Sequence, residues 1–113
     1  MKFAQVKEFA LALPEATEAP HHHFSSFRVR GKIFVTIPPK QDALHVFVGE
    51  VEREQALALY LDFAEKLLWG GKVVGLRLVL EKVRGKAASL AVQALVRTAW
   101  AHKAPKSVQT PTA

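Results

Sequence analysis

The chain has 113 residues, 16 Lys+Arg, 10 Asp+Glu, no cysteine and a formal net charge of +6. That length suits one domain and buries a core without cross-links. The absence of cysteine excludes disulfides, thiol nucleophiles and Cys-ligated metal centres. A hydrophobic fraction of 50% with 23% charged residues marks a globular chain. No apolar run reaches the roughly 18–20 residues of a membrane helix.

Phe3, Val6, Phe9, Ala10 and Leu13 recur at helical spacing, with Lys2, Lys7 and Glu8 off that stripe. The spacing predicts an amphipathic helix over 2–13, ended by Pro14. An apolar pattern broken by Glu8 is not that of a secretory signal, so the expected location is cytoplasmic. Residues 15–23 form a polar connector with room for a short edge strand around Ala16–Ala19.

A β-rich block follows. Phe27 and Val29, then Ile33, Val35 and Ile37, alternate with Arg28, Arg30, Lys32 and Thr36. Arg30-Gly31-Lys32 reads as a tight hairpin turn, with Gly31 supplying positive φ. A third strand spans Ala43–Val48 and stops at Gly49. Val51–Leu61 predicts a second helix, with Glu52 and Glu54 near its positive end. Residues 62–72 are ambiguous and broken by Gly70-Gly71. Val74 to Leu80 alternate as a last strand. An alanine-rich helix then runs from about Gly85 to His102, and Pro105 ends it. Residues 107–113 read as a flexible tail beyond a single domain over 1–106. The expected class is α+β, with an N-terminal helix, a mainly antiparallel sheet of four to five strands and C-terminal helices on one face.

The chain resembles the MmcQ/YjbR-like family of small bacterial proteins. The resemblance is carried by Ala12-Leu13-Pro14-Glu15-Ala16-Thr17-Glu18 and Phe27-Arg28-Val29-Arg30-Gly31-Lys32-Ile33-Phe34, with Leu76–Leu80, Ala99-Trp100 and Ala104-Pro105-Lys106. It implies a fold similar to secretion chaperones and a DNA-binding role proposed for the family from its shape. It supplies no catalytic residue to carry over. The run Pro20-His21-His22-His23-Phe24 matches no motif of the family.

Three constellations bear on function. The first is basic. Residues 1–81 hold ten bases and ten acids, whereas the six bases from Lys82 onward face no acid. Arg28 and Arg30 are expected on one strand face, which with Lys32 makes a basic wing for phosphates or the solvated side of a hairpin. On a helical projection Ala87, Ala91, Val92, Leu95 and Ala99 fall on one apolar side with His102, and Lys86, Ser89, Gln93, Arg97 and Trp100 on the other. Trp100 then either stacks on a base or anchors a partner, or is covered by the 62–72 segment with its indole N–H bonded to a carbonyl. The nucleic-acid candidates are therefore Arg28, Arg30, Lys32, Lys86, Arg97 and Trp100.

The second constellation is His21, His23 and His45, candidates for a metal. Residues i and i+2 of a strand share a side, but spacing selects no further ligand, so solvent-exposed histidines are the plainer reading. The third is a set of absences. Trp69-Gly70-Gly71-Lys72 lacks phosphate-loop spacing and reads as a turn, and no nucleophile elbow or Ser/His/Asp order is present. No cofactor or catalytic constellation is indicated. Two functions stay open: DNA binding through the hairpin and last helix, and a protein- or ligand-interaction module using the sheet face, with no membrane role and no fixed oligomeric state.

Overall fold

The computed structural model describes residues 1–109. Helix α1 covers Phe3–Leu11, with Val6 and Ala10 buried. Its exit runs through Leu13 and Pro14 to Glu15, whose φ of 56° turns the chain into the sheet. Strand β1 (Ala16–His21) pairs antiparallel with β2 (Phe24–Val29), which pairs with β3 (Lys32–Ile37). Arg30 (φ 50°) and Gly31 (φ 79°) link β2 to β3. Two successive left-handed residues suit the twist of the strands they join. The expected turn thus forms, but Arg30 belongs to it rather than to the strand face of Arg28.

Strand β4 (Ala43–Val46) pairs with β3 and ends two residues earlier than its apolar pattern suggests. Helix α2 (Glu50–Leu59) carries Glu50 and Glu52 in its first turn. The ambiguous segment after it contains β5 (Ala64–Trp69), joined to β6 (Lys72–Val79) by Gly70-Gly71 with φ of 58° and 79°. A 3-10 turn at Leu80–Lys82 leads into α3 (Gly85–Lys103). A short helix α4 (Lys106–Gln109) follows, with the Gln109 amide donating to the carbonyls of Ala101 and Ala104 at 2.8 and 2.7 Å. Of the segment 107–113, residues 110–113 lie outside the described residues.

The sheet has six antiparallel strands in the order β1-β2-β3-β4-β6-β5, one or two more than expected. The additions are β5 and the full length of β1. The fold is α+β.

Register divides the sheet into two faces. Phe27, Val35, Val46 and Leu76 lie in one row across β2, β3, β4 and β6, and Ile37, Leu44, Leu78 and Ala64 continue that face. These side chains pack with Val6 and Ala10 of α1, Ala56 of α2 and Val92, Val96 and Ala99 of α3 in one core. Burying them removes apolar surface worth about 25 cal/mol per Å². The alternate row is Ala19, Ser26, Thr36, His45, Arg77 and Glu65. It points away from the helices, because successive strand residues face opposite sides.

The buried side of α3 is Val92, Leu95, Val96, Ala99 and Trp100, while Ala87 and His102 are exposed. This corrects the expected projection, which set Trp100 on the polar side. The area of an indole outweighs the alanines and rotates the buried stripe toward it.

Candidate functional site

The helix-free face is the place where local structure leaves chemistry unspent. Three consecutive strands each carry a buried polar residue on this face: Ser26, Thr36 and His45. Ser26 is satisfied, since its hydroxyl donates to the Ala19 carbonyl at 2.7 Å and accepts from Arg28 Nε at 3.0 Å. Thr36 and His45 are not. They are paired directly across β3 and β4, at 2% and 7% exposure. Neither Thr36 Oγ1 nor His45 Nδ1 has a hydrogen-bond partner among the described residues. A buried polar atom without a partner costs about 1–3 kcal/mol, so such atoms are rare without a reason.

Aromatic rings surround the pair. Phe24 and Trp69 lie 5.8 and 6.4 Å from the His45 ring, and Phe47 lies 5.4 Å from Trp69. Gly75 of β6 makes room for this packing. A Cβ there would stand 2.6 Å from the Val46 carbonyl and 3.3 Å from the Phe47 ring. Trp69, on edge strand β5, remains 47% exposed.

Between these walls runs a groove of about 260 Å³ lined by His21, His22, Phe24, Thr36 and Trp69. His45, behind Phe24 and Trp69, borders a second depression with Pro38, Pro39, Lys40, Asp42 and Arg77. Burial holds the His45 imidazole below its ordinary pKa, the Arg77 guanidinium pushes the same way, and Asp42 opposes them. His45 is therefore a neutral imidazole at neutral pH. A larger depression, about 630 Å³, is lined by Asp62, Phe63, Glu81, Lys82, Arg84 and Ala88. Its four charged residues are all exposed, and it holds no unsatisfied buried atom.

The candidates from sequence do not form one surface. Arg28 turns back over β1, donating through Nη2 to the Pro20 carbonyl at 3.1 Å and through Nε to Ser26. Arg30 holds Glu15 with two bonds, at 2.6 and 3.1 Å. That contact pulls the Glu15 carboxyl below its usual pKa and raises Arg30. Lys32 is exposed beyond the hairpin turn. Arg97 sits over the Phe9 ring, 5.6 Å from its centroid. Trp100 is buried, and its indole N–H donates to the Pro14 carbonyl at 2.9 Å. The carbonyl is supplied by the exit of α1, not by residues 62–72. Arg30, Arg97 and Trp100 thus gather around residues 9–15. Lys86 lies about 16 Å from Arg97 along α3, at 1.5 Å per residue.

His21 ends β1, whereas His22 and His23 form the turn to β2, with His22 at φ 56°. The strand alternation expected for His21 and His23 therefore does not apply. The His21 and His22 rings meet edge to face at 4.7 Å. Among the described residues no group of three or more His, Asp or Glu side chains is placed to hold a metal.

Sequence reasoning reached His45 only as a metal candidate and passed over Thr36, Phe24 and Trp69 as site residues. The available signal was a polar residue within each of three successive strands, Ser26, Thr36 and His45.

The molecule is thus an α+β protein with one helix-covered sheet face and one free face that carries a groove. The YjbR family model matches residues 11–102, and the chain belongs to that family. No curated protein matches the chain significantly. Among the described residues no helix is long and apolar enough to cross a membrane.

Proposed function

We propose that this protein is a binding module whose working surface is the helix-free face of the sheet around Thr36, His45 and Trp69. One observation carries the reading: two buried polar atoms lack partners on the same face as a half-exposed tryptophan. Groups of this kind are satisfied by an incoming ligand in concave, largely apolar sites. A screen of small molecules and short peptides against isotope-labelled protein tests it. Binding that shifts the amide signals of Phe24, Thr36, His45 and Trp69 supports the reading. Hits that map only to the α2–α3 side contradict it.

Nucleic-acid binding is the second reading, favoured by the acid-free run of six bases from Lys82 onward. Lys32 and Lys86 are exposed, with no carboxylate in ion-pair range among the described residues. Arg28 and Arg30 are already engaged by the protein itself, which weakens the hairpin as a basic wing. This reading requires affinity for a duplex or single strand that falls steeply with salt as counterions are released. An anisotropy titration showing no binding at low salt removes it.

A further inference from the structure

Resting on the open-face reading, we propose that the groove takes a small, neutral, planar aromatic molecule with an amide-like edge that both donates and accepts hydrogen bonds. Three features select this chemistry.

The first is shape. The walls are rings: Phe24, Trp69 and the two histidines His21 and His22, with His45 beside Phe24 and Trp69. Aromatic faces and edges prefer a flat partner in offset or edge-to-face contact. The volume of about 260 Å³ falls below the roughly 300–1,000 Å³ of pockets for drug-sized ligands, so the occupant is small.

The second is charge. None of the five lining residues is Asp, Glu, Lys or Arg. The nearby Arg77 is paired with Glu65 at 2.6 Å. Moving an ion into such a site leaves its charge uncompensated, whereas a neutral molecule avoids that penalty.

The third is the polar floor. A threonine hydroxyl donates one hydrogen bond and accepts others. The Nδ1 of a neutral imidazole either donates or accepts, according to its tautomer. Thr36 lines the groove, with His45 directly opposite it across β3 and β4, so one flat edge with a carbonyl and an N–H can serve the Thr36 hydroxyl as both donor and acceptor. A purely apolar ring would leave the Thr36 hydroxyl unpaired.

The test uses the full chain and three probes: benzamide, cyclohexanecarboxamide and benzoate. The first two share the carboxamide but differ in planarity. Benzoate keeps the plane but carries charge. Binding is read from amide and indole N–H shifts. Benzamide is expected to move Thr36, His45 and Trp69 saturably. The other two probes should bind about fivefold or more weaker, the loss of one good ring contact or of a compensated polar edge. Thr36→Val should weaken benzamide by about fivefold, the worth of one hydrogen bond, and Thr36→Ser should restore it. Shifts on the open face that are equal for all three probes, or unchanged in Thr36→Val, overturn this ligand class while the open-face reading stands. Saturable shifts confined to other surfaces overturn both. The absence of any saturable shift overturns the ligand class, and the broader screen described above then decides the open-face reading.

Discussion

Thr36 and His45 are direct partners across β3 and β4, both are buried, and neither bonds the other through Thr36 Oγ1 or His45 Nδ1. Among the described residues no other buried side-chain nitrogen or oxygen lacks a partner. Ser26, one strand away on the same face, has two hydrogen bonds. The contrast places the unsatisfied buried chemistry of the described residues at this one cross-strand pair, of which Thr36 lines the groove.

His45 makes stability depend on pH. Its folded-state pKa lies below the unfolded value near 6.5, with burial the largest cause and Arg77 the next. As pH falls through about 6.5 the unfolded chain takes up the proton first, so the folded state loses stability until its own lower pKa is reached. Stability should therefore decline as pH falls through about 6.5, measured by urea midpoints. His45→Phe should flatten that part of the profile, and an unchanged slope would show that other groups cause it.

Trp100 works for the fold. Trp100→Phe keeps most of the apolar contact but strips the Pro14 carbonyl of its 2.9 Å donor. A loss of about 1–3 kcal/mol is expected from denaturant unfolding. A variant as stable as the parent would mean that the indole N–H bond to Pro14 adds nothing to stability.

Gly75 is required by the neighbour strand. Gly75→Ala drives a methyl into the Val46 carbonyl and the Phe47 ring. We expect about 1–3 kcal/mol of destabilisation, typical of overpacking. The Trp69 ring, which rests against Phe47, should change its indole N–H signal in the same variant. An unaltered midpoint and signal would contradict the packing described.

Glu15 separates the two functional readings. It occupies the Arg30 guanidinium with two bonds. If the hairpin contacts phosphates, Glu15→Gln frees that cation and should steepen the salt dependence of nucleic-acid binding by about one unit of slope. Unchanged low-salt affinity removes the hairpin from any such interface.

The sequence reading located most elements because their signals are local. The period-two run from Phe27 to Ile37 and the alanine-rich last helix follow directly from side-chain spacing. The segment around Ala64–Trp69 resisted because a register shift between Leu67 and Leu68 breaks its alternation. Strand β1 was underestimated because Thr17, Glu18 and Pro20 are exposed on an edge and carry no hydrophobic period. The site was harder still. Thr36 looks like an ordinary strand residue until register sets it opposite His45. Trp69 looks like a turn residue until β5 folds next to β6. Contacts across strands far apart in sequence decide both, and no spacing rule within one segment reports them. Of the charged candidates Arg28 separates from Arg30 for the converse reason: they are close in sequence, yet a left-handed turn sends Arg30 to Glu15 while Arg28 folds toward Pro20.

The central claim is that the Thr36 hydroxyl serves a ligand rather than the fold. The most direct measurement is urea denaturation of Thr36→Val beside the parent protein, with no ligand added. Removing an unsatisfied buried hydroxyl should stabilise the chain by about 1 kcal/mol and raise the urea midpoint. A variant of equal or lower stability would mean that the hydroxyl is satisfied within the fold, and would contradict the account.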